Sequence, residues 1–198
     1  MAFQLVQILF WLSLATWFGG VLFVAMTAPV VVRTVREANP ILPHVLAVNL
    51  DGQHGTLLAG TIVASMLNLL WRVQLACGGV MLFVLVAQWL VMDTRDQANL
   101  VAALVRTGLF LGAVTLTLYN WRFVWPKVWA ERQAYIDNAD NPDLANPAKD
   151  RFDRHQVESA NVLNLVLFML LGMIVFGGLV TPGKAVAPTQ SPAPVVQN

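Results

Sequence analysis

The chain has 198 residues, of which 57% are hydrophobic and 12% are charged, and its mean hydropathy is +0.63. Because soluble domains carry about 25% charged residues, this composition excludes an ordinary soluble domain. The net charge of +1 excludes a nucleic-acid partner, which needs a concentrated basic surface. The single cysteine, Cys77, excludes an intramolecular disulfide.

The charged residues are unevenly distributed along the chain. Of 12 basic and 11 acidic residues, ten lie between Glu131 and Arg154, whereas residues 1–32 have none. Apolar runs long enough to cross a bilayer, separated by charged connections, are typical of helical membrane proteins. The sequence therefore predicts an all-α integral membrane bundle within residues 1–183, with four to five transmembrane helices and the lipid bilayer as its partner.

The predicted helices are five apolar stretches, at residues 3–32, 55–71, 73–92, 98–121 and 155–180. The first stretch is longer than the apolar core of a signal peptide, about 7–15 residues, and no basic residue precedes it. We therefore expect it to be retained as the first helix, ending near Pro29 and Arg33.

The second and third stretches are separated only by Arg72. Two helices joined by so short a connection form either a tight hairpin or a re-entrant pair that does not cross the bilayer. The first alternative gives five spans and the second gives four. The distribution of lysine and arginine does not decide the orientation in the membrane. Asp51 is expected to cap the start of the second stretch.

The fourth stretch contains an intramembrane charge, Arg106. Its long side chain either extends to the membrane interface or is buried beside an acidic partner, for which Glu158 and Asp51 are the candidates. After this stretch, residues 131–154 are predicted to form a charged loop.

The fifth stretch begins with a polar run that continues into an uncharged segment, residues 159–183. At 100° per residue, Arg154, Glu158 and Asn161 share one helix face, and His155 and Ser159 form the stripe beside it. Polar groups at this depth are costly and usually have a partner or a function. They form either interhelical hydrogen bonds or a polar cavity for an ion, a proton or a small ligand. The proline-rich tail, residues 184–198, is predicted to be disordered.

No metal or catalytic motif is present in the sequence. The three histidines, His44, His54 and His155, lack the HxxxH or HExxH spacing of helical metal sites. We therefore expect no enzyme activity and no cofactor; if a metal binds, His155 and His54 are the expected ligands.

Three segments in order resemble the transmembrane protein 205-like family, whose bacterial members are classed as a domain of unknown function. The segments are Trp17-Phe-Gly-Gly20, Asn120-x-Arg122-x-x-x-Pro126, and Phe152-x-Arg154-His155 followed by Ser159. The Trp-Gly-Gly helix is also similar to the membrane domain of copper-resistance D proteins. This chain lacks the first-helix histidine that some relatives carry, which disfavours a two-histidine metal or haem site.

The resemblance implies a non-enzymatic membrane protein, in a bacterial inner membrane, with no established mechanism. It would be either a small transport or tolerance factor or an accessory subunit of a membrane complex. The alternative is a copper- or haem-handling protein that uses His155. Because the two C-terminal signature segments lie at the same membrane face, we expect them to form one polar cluster centred on an Arg122–Glu158 ion pair. Its members would be Asn120, Arg122, Arg154, His155, Glu158, Ser159 and Asn161.

Overall fold

The computed structural model describes residues 2–38, 40, 54–91 and 97–178. These residues form the α-helices α1 (Ala2–Ala38), α2 (His54–Val91), α3 (Gln97–Tyr119), α4 (Trp125–Asp137) and α5 (Pro142–Gly177), and a π-helical segment, Asn120–Val124, joins α3 to α4. The predicted all-α class is confirmed. The predictions for Asp51, His44 and the tail 184–198 lie outside the described residues.

The two stretches on either side of Arg72 form one helix, so the prediction of a hairpin or a re-entrant pair is wrong. α2 has 38 residues, which corresponds to about 57 Å at 1.5 Å per residue. No proline or glycine adjoins Arg72 to break the helix, and its exposed side chain can reach along the helix surface toward polar surroundings. Four helical segments of the described chain are therefore long and apolar enough to cross a membrane, and there is no fifth among them.

The predicted charged loop, residues 131–154, is also mostly helical. α4 continues to Asp137, and α5 begins at Pro142 rather than at His155. Asn141 caps α5, since its side-chain oxygen accepts a hydrogen bond from the Asp143 N–H at 3.1 Å. Proline is favoured in the first helical turn because its missing N–H has no helical partner there. Only residues 138–141 separate the two helices, and an Arg151–Glu131 ion pair of 2.9 Å joins them.

The helices pack as two antiparallel hairpins, α1 with α2 and α3–α4 with α5. Their shared core contains Phe10, Leu14 and Trp17 of α1, together with Phe110 of α3 and Leu170 of α5. Close approach occurs at glycines, where a Cβ would lie 3.0 Å from Met169 at Gly112, 2.9 Å from Leu109 at Gly172 and 3.2 Å from Trp11 at Gly177. Small residues allow helices to associate in lipid, where no hydrophobic force drives them together.

Both ends of the bundle can be assigned from the contacts between helices. At one end, Gln7 near the start of α1 meets Gln88 near the end of α2, and Trp11 meets Gly177 at the end of α5. At the other end, Arg36 contacts Thr56 at the start of α2. α4 and the first turns of α5 lie at this second end, which we call the charged end because it contains residues 131–154.

Candidate functional site

The charged end is shaped by the π-helical segment between α3 and α4. Pro126 has no N–H to donate to the carbonyl of Arg122, and its ring would clash with that carbonyl in a regular helix. The chain instead forms a wider turn, in which the Trp125 N–H donates to the carbonyl of Asn120, five residues back. Such single π turns are frequent at functional sites. The Asn-x-Arg…Pro segment of the sequence therefore marks a widened turn and not the end of the helix.

This wider turn directs Asn120 toward α5. Asn120 is fully buried, and its Nδ2 donates a hydrogen bond of 3.3 Å to the carbonyl of Ser159. One residue earlier, the Tyr119 hydroxyl donates to a carboxylate oxygen of Glu158 at 2.8 Å. Of the predicted cluster, the structure thus joins Asn120 with Ser159 and supplies Tyr119 as the partner of Glu158.

The predicted centre of the cluster, an Arg122–Glu158 ion pair, is wrong. Among the described residues the ion pairs are Arg33–Glu37 and Arg151–Glu131. Arg122 is exposed, and its guanidinium lies 5.9 Å from the centre of the Phe123 ring. The π segment explains this error, because an extra residue in the turn rotates the following side chains relative to a regular α-helix.

The other members of the predicted cluster are spread around α5. Arg154 is exposed and its Nε donates to the carbonyl of Asp150 at 3.2 Å, and Asn161 is exposed. His155 is half-buried and Ser159 is buried. The inward stripe of α5 therefore runs through His155 and Ser159, whereas the stripe of Arg154 and Asn161 faces outward.

A cavity of about 750 Å³ lies at the charged end, on the inner side of Ser159. Its floor is formed by buried residues of α2 and α4, such as Leu67 and Val128. Its rims are exposed residues of α1 and α5, such as Pro29 and Ala160. Buried walls on one side and exposed rims on the other mean that the cavity opens sideways between α1 and α5. In a membrane this direction faces the lipid.

The inner part of the cavity is mostly apolar, with Ser159 and Asn164 as its polar residues, and the outer part is basic. Its α1 wall is uncharged from Val21 to Val32 and then presents Arg33, Arg36 and Glu37. Arg132 of α4 also lines the cavity. Among the described lining residues, three arginines and one glutamate leave an excess of two positive charges. Arg33 is also paired with Glu37 at 2.8 Å, so Arg36 and Arg132 carry the unbalanced charge.

Arg36 and Arg132 are both held by the first two turns of α2. Arg36 Nε donates to the Thr56 hydroxyl at 3.1 Å. Arg132 Nη2 donates to the Thr61 hydroxyl at 2.8 Å and to the Leu57 carbonyl at 3.2 Å. The Arg132 guanidinium also stacks on Trp129, 5.3 Å from the ring centre. These contacts hold the two guanidinium groups at the charged end of the cavity. We call this part of the cavity, lined by Arg33, Arg36, Glu37 and Arg132, its mouth.

The intramembrane charge Arg106 is buried far from this mouth, with 1% of its surface exposed. Its Nη2 donates to Gln88 Oε1 at 2.6 Å, Gln88 in turn donates to Gln7 Oε1 at 2.8 Å, and the Phe10 ring lies 4.8 Å away. Of the two alternatives for Arg106, the interfacial side chain is therefore wrong and the buried one is confirmed. The predicted pairing with Glu158 is wrong, because Arg106 binds Gln88 and Glu158 binds Tyr119. Asp51, the other proposed partner, lies outside the described residues.

The histidines do not form a cluster of metal-ligating side chains in the part of the chain that the structure describes. No three His, Cys, Asp or Glu side chains come together there in a way that could hold a metal ion. His54 is buried at the start of α2, and the buried Nδ1 atoms of His54 and His155 have no hydrogen-bond partner among the described residues.

The cavity residues of α4 were missed from the sequence. Trp125, Val128, Trp129 and Arg132 follow a helical i, i+3, i+4, i+7 spacing, which is the signal that could have found them. Placing the end of the helix near Trp121 hid this pattern, since Arg132 was then assigned to a loop.

Comparisons with protein-family models, with curated proteins and with solved structures give no match to this chain. The resemblance to the transmembrane protein 205-like family therefore stays a prediction. The function has to be inferred from the geometry of the cavity.

Proposed function

We propose that this protein is a non-enzymatic membrane protein, in a bacterial inner membrane, that takes an amphipathic molecule from the bilayer into the cavity between α1 and α5. This is the activity of a small transport or tolerance factor. The observation that carries the proposal is the sideways opening of the cavity, with buried walls on α2 and α4 and exposed rims on α1 and α5.

The volume and lining of the cavity support a small amphipathic ligand. Ligand cavities have volumes of about 300–1,000 Å³ and are mostly apolar, with a few placed polar groups. The cavity here, at about 750 Å³, lies within that range. Its charged groups are concentrated at the charged end, and the deeper wall, which includes Val21, Leu67 and Leu163, is mostly apolar, with Asn164 as a polar residue at that depth. A molecule with one charged end and one apolar end fits this gradient.

The proposal is tested by filling the cavity from α1. Ala28 lines the cavity, whereas Ala15 is an exposed alanine of the same helix outside it. We expect Ala28→Trp to reduce the fraction of protein that retains a bound lipid in native mass spectrometry by at least about tenfold, equivalent to ~1.4 kcal/mol. The probe is an equimolar mixture of phosphatidylcholine and phosphatidylglycerol added to the detergent-purified protein.

The matched control is Ala15→Trp, which adds the same indole to a lipid-facing position and should leave lipid retention unchanged. Equal retention by both variants and the unsubstituted protein would overturn the proposal. Both variants must elute as single species and keep their helical circular dichroism, so that loss of lipid is not loss of fold.

The alternative, a copper- or haem-handling protein, is supported by the buried Nδ1 atoms of His155 and His54, which have no hydrogen-bond partner among the residues that the structure describes. Metal analysis and a visible spectrum of the purified protein test it. Bound copper or a haem absorption band that disappears in His155→Ala would favour this alternative, and a protein without either would count against it.

A further inference from the structure

We propose that the molecule taken up by the cavity is an anionic phospholipid, with its phosphate bound by Arg36 and Arg132 and one acyl chain along the apolar wall. This inference rests on the proposed function and narrows it to one class of ligand.

The first support is that the Arg36 and Arg132 side chains line the same cavity and are both bound to the start of α2. Arg36 binds Thr56, and Arg132 binds Leu57 and Thr61, so both are anchored within the first two turns of α2. Each guanidinium group keeps two nitrogens that have no hydrogen-bond partner among the described residues. In Arg36 these are both Nη atoms, and in Arg132 they are Nε and Nη1. Guanidinium groups present a planar fork that matches the oxygens of a phosphate.

The second support is the balance of charge at the mouth. Glu37 is already bound by Arg33, so among the described residues that line the cavity an added anion would meet the two remaining arginines and no free carboxylate. The start of α2 also lies here, and the N-terminal end of a helix favours negative charge. A zwitterionic headgroup also carries a cationic group, which the two arginines would repel. The mouth therefore selects a net negative headgroup.

The third support is the length of the apolar wall. The α1 wall from Val21 to Val32 is uncharged, and its 11-residue rise corresponds to about 17 Å. One leaflet of the hydrocarbon core is about 15 Å thick, half of the roughly 30 Å of a bilayer. A phospholipid that enters the cavity without moving along the membrane normal would thus have its phosphate level with Arg36. Trp125 and Trp129, which line the cavity near Arg132, are residues typical of the headgroup level.

The fourth support is that an apolar chain alone gains little free energy when it moves from the bilayer into the cavity. Lipid tails are as apolar as the wall, so transfer of a chain from the bilayer provides no hydrophobic driving force. Retention and selectivity must then come from the charged end. Basic residues near a membrane surface attract anionic lipid with a strength that corresponds to about fivefold in binding for each charge.

The experiment measures the ratio of bound phosphatidylglycerol to bound phosphatidylcholine when both are offered in equal amounts. We expect a preference of about tenfold for phosphatidylglycerol in the unsubstituted protein. Arg36→Gln and Arg132→Gln should each reduce it to about twofold, and total lipid retention should fall through loss of bound phosphatidylglycerol while bound phosphatidylcholine stays unchanged. Arg154→Gln, which removes an exposed arginine of the charged end outside the cavity, is the matched control and should keep the full preference.

The possible results separate this inference from the proposed function. Equal binding of the two lipids, with retention still lost in Ala28→Trp, would overturn the anionic ligand and leave the cavity proposal standing. No retention of either lipid would overturn both. If Arg154→Gln loses as much of the preference as Arg36→Gln does, the preference comes only from general surface charge, and the assignment of the phosphate to Arg36 and Arg132 is overturned. Excess glycerol phosphate should not displace the lipid; if it does, the ligand is a free phosphate compound and the lipid assignment fails.

Discussion

The buried chain of hydrogen bonds from Arg106 through Gln88 to Gln7 gives the most quantitative prediction for stability. Gln88 stands between the other two, since its Oε1 accepts from Arg106 at 2.6 Å and its Nε2 donates to Gln7 at 2.8 Å. Gln88→Leu would remove both hydrogen bonds at once. The buried Nε and Nη1 atoms of Arg106 have no partner among the described residues, so the guanidinium would retain only its contact with Phe10.

The expected cost follows from the kind of hydrogen bond lost. A hydrogen bond to a charged group contributes about 1.5–3 kcal/mol and one between neutral groups about 0.5–1.5 kcal/mol. Gln88→Leu should therefore lower the free energy of unfolding by roughly 2–4 kcal/mol. Gln7→Leu removes only the neutral hydrogen bond and should cost about 0.6 kcal/mol, the average for interhelical hydrogen bonds within a membrane.

The assay is unfolding in mixed micelles with increasing sodium dodecyl sulfate, followed by tryptophan fluorescence and circular dichroism. The double variant Gln88→Leu/Arg106→Met should recover at least half of the loss, because replacing both partners by apolar groups can be nearly neutral. If Gln88→Leu costs no more than Gln7→Leu, or if the double variant is less stable than Gln88→Leu, the assigned role of the buried arginine is refuted.

Two further substitutions test the helix boundaries. Val73→Pro should lower the free energy of unfolding by about 3 kcal/mol because a proline inside a helix breaks it; a variant as stable as the parent would mean that a turn exists beside Arg72. Asn141→Ala should cost about 1 kcal/mol through loss of the α5 cap, whereas Asn141→Asp should keep the cap and its stability, and equal losses in the two variants would contradict the capping hydrogen bond. Both are measured by the same unfolding assay.

The sequence predicted the fold class because the apolar runs and the positions of charges follow directly from the cost of placing polar groups in lipid. It did not predict where helices end at the charged end. Charged residues such as Glu131 and Arg151 can continue a helix beyond the membrane, and composition alone does not distinguish such an extension from a loop. A lone arginine such as Arg72 likewise resembled a connection, although nothing beside it breaks a helix.

The sequence predicted which site residues share one face of a helix, but it did not predict their partners on other helices. Residues one helical turn apart, such as His155 and Ser159, were correctly assigned to one stripe, since regular α-helix geometry fixes their spacing. Contacts between helices depend on how each helix is rotated about its axis and how far it is shifted along it. The π turn before Pro126 changes both for the residues that follow it. The partner of Glu158 was therefore Tyr119 and not Arg122. The burial of Arg106 depends on Gln88, a neutral residue that hydropathy does not single out.

The most direct test of the lipid-binding proposal is a diffraction structure of the protein crystallised with a phosphatidylglycerol whose acyl chains carry bromine. The anomalous signal locates the bromine atoms without reference to the shape of the density. We expect bromine between α1 and α5, beside Val21 and Leu163, with the phosphate at Arg36 and Arg132. Bromine only on the outer surface of the bundle, with α1 and α5 closed against each other at the charged end, would contradict it.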